Sequence, residues 1–405
     1  TYCLSDAKFT KGSALINKWV ALAFKSRVCL FEAAYRRYHN LTGLEITPEE
    51  LYREAAKAAK LVIDNSGCSL NTAAGKKGAY RDLFYSETPL TQEVILAVCA
   101  NEKSGIFGEQ NWWFNARSYG LCWSLVRSFV HTYLKQDGTP FTAAADYAVK
   151  SFAEEMEGRD LRLEQTVRGR NFLWDGKTAV ADIKNLSLTG YQVIKYTLDE
   201  SKYDGGAKNI NSIPLIRYAE VLLNYAEAKA ELGEFSETVW NATIKLLRER
   251  AGVDGAMPSA YDPYMAEYFL NTTTDMAILE IRRERGIELL LENCRWDDDM
   301  RWGMGRLLER PWYGVYVGEL GKVYDMDGDG SGDVCFVREN PPVTEPGVTY
   351  RVLGGDYALT DGDSGYIECY IRMNRKWDDK KYVRPIPTTA LNDNPALGQN
   401  PGWKK

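Results

Sequence analysis

Two kinds of side-chain grouping in this 405-residue sequence could do chemistry: a run of alternating carboxylates, and clusters of consecutive aromatic rings. Asp325-Met326-Asp327-Gly328-Asp329-Gly330-Ser331-Gly332-Asp333 has the donor spacing of an EF-hand-type calcium loop. Asp325, Asp327 and Asp329 stand at alternate positions, Gly330 supplies the sharp turn, Ser331 offers its carbonyl and Asp333 follows. Oxygen donors suit a hard cation, and this spacing folds them around one point. The twelfth position is Phe336, so the bidentate Glu is missing and no flanking helices are evident. The competing reading is a solvated Asp/Gly turn.

Gln110-Asn111-Trp112-Trp113-Phe114-Asn115 is the most unusual aromatic cluster. Three consecutive rings cannot share one face of a helix or strand, so at least one must be exposed. An exposed indole can stack on the C–H face of a sugar, and neighbouring amides can orient hydroxyls. Trp112, Trp113, Phe114, Asn111 and Asn115 are therefore candidate ligand residues, and burial under a long loop is the alternative. Trp312 and Tyr313, within Trp312-Tyr313-Gly314-Val315-Tyr316, and Trp174, within Phe172-Leu173-Trp174, form weaker candidates of the same kind.

Other chemistry is harder to build. His39 and His131 are the only histidines and lie far apart in sequence, which argues against histidine-cluster mechanisms. The eight cysteines show neither C-x-x-C nor zinc spacing. No nucleophile elbow, P-loop or dinucleotide fingerprint occurs. Asp297-Asp298-Asp299, between Arg295 and Arg301, reads as a structural ion network, and Arg285 with Glu288 as an i,i+3 helix pair. A glycosidase needs two carboxylates facing across a cleft, which sequence neither shows nor forbids. The formal net charge of −6, without a basic block, argues against nucleic acid as the main partner. No run of eighteen apolar residues occurs.

The elements that must position these groups are mainly helical. Leu15, Trp19, Leu22, Leu30 and Ala33 recur at helical spacing from Lys11 to about Tyr38. Thr47-Pro48-Glu49-Glu50 predicts a capped helix start, and that helix ends at Asn65-Ser66-Gly67. Leu215, Tyr218, Leu222 and Tyr225 form a second stripe, ended by Gly233; Ser236 caps a helix running to Ala251-Gly252. A further helix covers roughly Asp275 to Asn293. Such pairs look like tetratricopeptide-type hairpins. Residues 66 to 121 and 303 to 405 are rich in loop-forming residues, with short alternating runs at Tyr350-Arg351-Val352 and Tyr366-Ile367-Glu368-Cys369-Tyr370 that predict strands.

Several of these segments closely resemble the SusD/RagB family of outer-membrane nutrient-binding lipoproteins. They are the run from Ile213 to Ala228; Ile281-Arg282-Arg283-Glu284-Arg285 with Glu288-Leu289; and Arg295-Trp296-Asp297-Asp298-Asp299-Met300-Arg301-Trp302-Gly303. Further matches are Tyr80-Arg81-Asp82-Leu83-Phe84, Glu93-Val94-Ile95, Gly190-Tyr191 before Lys195-Tyr196, and the ending Arg384-Pro385-Ile386-Pro387 with Asn394-Pro395 and Gln399 to Trp403. Arg159-Asp160-Leu161-Arg162-Leu163 carries Leu161 where the family usually has proline. The motifs keep the family's order from about Tyr80 onward.

The resemblance implies a mainly α fold, with a tetratricopeptide-like helical-repeat scaffold and an irregular, loop-rich capping region containing short strands. On this reading residues 1–65 and 206–302 form the scaffold, residues 66–205 a capping and ligand-binding insertion, and 303–405 a C-terminal capping region. It implies a non-catalytic protein, lipid-anchored on the extracellular face of the outer membrane. Such a protein captures oligosaccharides for a TonB-dependent, SusC-like transporter. Peptide capture within the family and a surface glycoside hydrolase are the alternatives. No cofactor is required, and calcium would be structural. Cys3, with two residues ahead of it, does not read as the family's lipidation site, so the lipid is expected on a segment outside this sequence.

Overall fold

The computed structural model describes residues 15–116 and 122–404, so Lys11 to Ala14 of the first expected helix and Cys3 lie outside the described residues. The first two helices, Lys18–Tyr38 and Pro48–Asn65, form a hairpin. Thr47 makes the expected capping box with Glu50, and Pro48 occupies the first helical turn. Leu30, Ala33 and Ala34 of the first helix meet Tyr52, Ala55 and Ala56 of the second; alanines permit close approach of the backbones. Leu15 precedes the helix and is exposed, unlike the rest of its expected stripe.

Helix Tyr218–Glu231 lies against this hairpin, and helix Met276–Glu288 against Tyr218–Glu231. Leu215 is not part of that stripe: it sits exposed in strand Ile213–Arg217, which pairs antiparallel with Val94–Val98. The helix after Ser236 is broken at Thr243 into Glu237–Ala242 and Ile244–Arg250. The helix begun at Asp275 stops at Glu288, before Asn293, because Leu291 and Asn293 take left-handed backbone conformations.

Helix Met276–Glu288 inverts the usual pattern, since its charged residues are buried with its apolar ones. Glu288 pairs with Arg217 at 3.0 Å, Arg250 at 2.5 Å and Arg162 at 2.8 Å. Glu284 pairs with Arg162 at 2.6 Å and Arg248 at 3.2 Å. Arg285 reaches Asp298 at 3.0 Å and Glu227 at 3.5 Å. Arg285 and Glu288 therefore do not pair with each other; each is committed to a different neighbouring element. Asp298 also binds Arg301 at 2.8 Å and Asp299 binds Arg295 at 2.8 Å, which makes the Asp297–Asp299 run structural, with Asp297 exposed. Arg282 is buried without a hydrogen bond and stacks on Trp302, 4.7 Å from the ring centre, beside Tyr38 and Phe269.

Residues 125–193 and the C-terminal loop-rich segment share one core. Leu125, Phe129, Tyr133, Tyr191 and Val193 pack with Val315, Val317, Phe336 and Ile367. Two three-stranded sheets belong to it. In one, Gly365–Cys369 lies between Trp312–Val317 and Tyr357–Leu359; in the other, Val334–Val337 pairs antiparallel with Val323–Tyr324 and parallel with Thr349–Val352. The two strands expected from alternation fall within Thr349–Val352 and Gly365–Cys369.

Burial alone would raise the Glu288 carboxyl, but Arg250, Arg217 and Arg162 hold it well below the usual range of about 4.5. Its contribution is thus complete above the unfolded pKa and is lost as pH falls from about 4.5 through the depressed folded value. Removing one partner strands buried cations, so Glu288→Ala is expected to cost about 3–5 kcal/mol in denaturant unfolding. Glu54→Ala, at the exposed Lys25–Glu54 pair, should change stability by less than about 1 kcal/mol.

Candidate functional site

The strand Trp312–Val317 places the aromatic groups that gather around open space. Gly314 is required by contact: a Cβ there would lie 2.3 Å from the Thr189 carbonyl oxygen. Its absence lets the strand rest on that backbone, where the Val315 N–H donates to Thr189 at 2.8 Å. Val315 and Val317 are buried, anchoring the strand's far end. Trp312 and Tyr313, adjacent and therefore on opposite faces, each line a different cavity.

The larger cavity, about 710 Å³, is bounded by Trp123, Leu125, Tyr268, Arg310, Trp312 and Tyr370. Trp123 and Trp312 are 43% and 38% exposed, so two indoles keep ring surface available beside it. Trp312 meets Tyr370 edge-on at 5.6 Å and carries the Arg375 guanidinium 4.8 Å from its ring centre. Trp123 rests on Phe114 at 5.7 Å. The smaller cavity, about 350 Å³, includes Arg127, His131, Tyr147, Tyr264, Tyr313 and Tyr366. Ser128, Tyr268 and Arg310 border both. The volumes and aromatic linings are those of small-ligand clefts.

The polar groups at the smaller cavity are held in place. His131 Nε2 bonds Glu155 at 2.8 Å, and the Tyr191 hydroxyl donates to the same carboxylate at 2.5 Å. Burial lowers the His131 pKa below its usual 6.5 despite Glu155, leaving the imidazole neutral at pH 7. Arg127 pairs with Glu155 at 2.8 Å and lies over the Tyr366 ring at 4.6 Å. Burial raises the Tyr313 and Tyr366 phenols, so both are protonated hydrogen-bond donors at neutral pH. The carboxylates in the two linings are Asp299, bound by Arg295, and Glu267.

The Gln110–Asn115 cluster is a short helix rather than a loop. Trp113 is exposed and Trp112 half-buried, with ring centres 5.5 Å apart, but neither borders these cavities. Asn111 cannot orient a ligand. It is fully buried and donates to the Leu198 carbonyl at 2.8 Å while its Oδ1 accepts from Leu198 N–H and Asn209 Nδ2. Asn115 is also buried, accepting from Gln192 at 3.4 Å. The Asn111 amide and the Asn115 carbonyl oxygen are thus spent on the fold. Phe114 supports Trp123 from a half-buried position. Trp174 stacks on Phe172 at 6.2 Å, away from both cavities. Trp123 has no adjacent aromatic residue in Cys122-Trp123-Ser124 to mark it; only folding brings it to the cavity that Trp312 lines.

The Asp325 loop joins two antiparallel strands, Val323–Tyr324 and Val334–Val337, instead of two helices. Asp325, Asp327 and Asp333 bring carboxylate oxygens within 4.8 Å of one another. Backbone N–H groups orient them: Gly330 donates to Asp325 at 2.8 Å, Asp329 to Asp327 at 3.1 Å and Met326 to Asp333 at 2.7 Å. Burial and then the neighbouring carboxylates raise the Asp333 pKa, and both also act on Asp327. The Asp329 carboxylate is not in this group: it is exposed and accepts the Ser331 N–H at 2.6 Å. Phe336 is a core residue of the second strand, which is why the twelfth position holds no carboxylate. Three converging carboxylates suit a calcium ion.

The SusD family model matches residues 92–403, and the chain belongs to that family. Comparison with curated proteins gave no match. Among solved structures, a SusD-like protein from Bacteroides fragilis is 21% identical, with a TM-score of 0.65 over 99% of this chain and 68% of its own. A SusD-like carbohydrate-binding protein from Bacteroides fragilis is 22% identical, with a TM-score of 0.63 over 95% of this chain and 66% of its own. A third structure, described as solved with a xylogluco-oligosaccharide, is 19% identical, with a TM-score of 0.57 over 98% and 69% of the two chains. The fold is accordingly the mainly helical, tetratricopeptide-like scaffold with a loop-rich cap. Among the described residues, no helix is long and apolar enough to cross a membrane.

Asn111→Ala should leave Leu198 N–H and Asn209 without their acceptor, costing about 1–3 kcal/mol of stability in denaturant unfolding.

Proposed function

We propose that the protein is a non-catalytic surface receptor that captures oligosaccharides in the paired cavities beside Trp312 and Tyr313. The single observation carrying this reading is the meeting of Trp123 and Trp312 at one cavity, with a second, tyrosine-lined cavity continuing from it. Sugars are strongly hydrated, so polar contacts mainly exchange one partner for another. Flat, weakly hydrated rings instead supply apolar contact and a pre-organised shape. Membership of the SusD family supports attachment to the outer membrane by lipid, on the extracellular face, and delivery to a SusC-like TonB-dependent transporter.

A binding role also fits the scarcity of acid–base groups. A glycosidase uses two carboxylates at the scissile bond; in these linings Asp299 is neutralised by Arg295, leaving Glu267. Calorimetric titration against a panel of glycans and peptides, with parallel assay of reducing ends, tests the reading. A glycan should bind without turnover. Trp312→Ala and Trp123→Ala should each weaken it by about 1–3 kcal/mol, on the scale of aromatic stacking with nucleic-acid bases, at unchanged melting temperature. Sustained reducing-end release, or exclusive peptide binding, contradicts the proposal.

Calcium in the Asp325 loop belongs to the same reading as a structural ion. Asp325, Asp327 and Asp333 would hold it, neutralising carboxylates that otherwise repel one another. Millimolar calcium should raise the melting temperature by mass action, and Asp327→Ala should abolish the rise. A melting temperature indifferent to calcium would identify a solvated turn.

A further inference from the structure

Most buried guanidinium groups among the described residues face carboxylates, whereas two half-buried ones beside the cavities do not. Arg310 borders both cavities, yet among the described residues no carboxylate lies within salt-bridge distance of it. Its Nη2 donates to the carbonyls of Glu267 at 3.0 Å and Tyr268 at 2.5 Å, and the group lies 4.7 Å from the Tyr268 ring centre. These contacts fix its orientation without neutralising its charge, and Nε and Nη1 make no hydrogen bond among the described residues. Arg295, on the same Tyr268 ring, is by contrast paired with Asp299. Arg375, above Trp312, is a second such case. It donates to the carbonyls of Cys369 at 2.9 Å and Tyr370 at 3.3 Å, and among the described residues it has no carboxylate partner and keeps a buried Nε without a bond.

Two pre-oriented cations without counter-ions thus flank the aromatic wall of a proposed sugar site. We propose that the glycan captured here is anionic and that Arg310, assisted by Arg375, receives an oxyanion carried by the sugar, either the carboxylate of a uronic acid or a sulfate ester. This rests on the glycan-capture reading and specifies its ligand. A guanidinium already held by backbone carbonyls loses little freedom on binding, and a charge-assisted hydrogen bond at a half-buried site is stronger than a neutral one. Neutral sugars would leave both charges to water. Glu267, exposed at the smaller cavity, opposes an anion there and so provides an independent handle.

The test is calorimetric titration of the full chain with three probes at low ionic strength: oligogalacturonides, their fully methyl-esterified neutral forms, and oligosaccharides of a sulfated galactan. At least one anionic probe should bind about tenfold or more tightly than the neutral ester, the scale of a charge-assisted hydrogen bond, and the advantage should shrink with added salt. The uronide and sulfate arms identify which oxyanion is recognised. Arg310→Gln should abolish the preference, weakening anionic binding far more than neutral-sugar binding. Because Arg310 also anchors two carbonyls, Arg375→Gln and Glu267→Gln give separate arms, the first weakening and the second strengthening anionic binding, with melting temperatures recorded for each. Neutral probes bound as tightly as both anionic ones would overturn the inference while leaving glycan capture intact. Failure of the entire glycan panel would overturn the capture reading itself. Equal loss of neutral and anionic binding in Arg310→Gln, at unchanged melting temperature, would assign that arginine a shape role and also overturn the inference.

Discussion

The fold depends on charge buried around helix Met276–Glu288. Glu288 alone receives Arg162 from the cap, Arg217 from the end of a strand and Arg250 from a neighbouring helix. A buried ion pair gains little over an apolar replacement of the same shape, because desolvation offsets the attraction. Its consequence is geometric: each arginine must arrive with its guanidinium facing a particular carboxylate, and misplacing one leaves charge stranded in low dielectric. The arrangement therefore ties the repeat helices to the Asp160–Arg162 turn of the capping region in one relative position.

That fixed position is what allows a site to form between distant pieces of chain. The cavities draw lining from residues 122–129, from Tyr264 and Tyr268 between helices Ile244–Arg250 and Met276–Glu288, and from the strand at Trp312. None of these segments is a site alone. Glu155 extends the same logic to the smaller cavity, gathering Arg127, His131 and Tyr191 beneath its tyrosines. The oxygen-rich Asp325 loop stands apart from this, as a hairpin connection packed through Met326 and Phe336 onto the shared core.

Local signals were legible in sequence where local forces decide the structure. The Thr47–Glu50 capping box, the stop at Gly233 and the two alternating strands all emerged as expected. So did the structural nature of Asp298 and Asp299. Partners across the fold were not legible. Arg285 and Glu288 have the spacing of a helix pair, but each is drawn away by buried partners from other elements. The tryptophan cluster at Trp112 stands out by composition, while of its flanking asparagines Asn111 braces the chain at Leu198 and Asn209 and Asn115 accepts from Gln192. Trp123 carries no sequence signal because the cavity it lines is completed by Trp312, nearly two hundred residues later.

Hydroxyl-radical footprinting with and without a bound oligosaccharide tests the location of the site most directly. The account predicts protection concentrated at Trp123, Trp312 and Tyr313, with Trp112, Trp113 and Trp174 unchanged. Protection confined to Trp112 and Trp113, with the rings around the paired cavities as reactive as before, would contradict it.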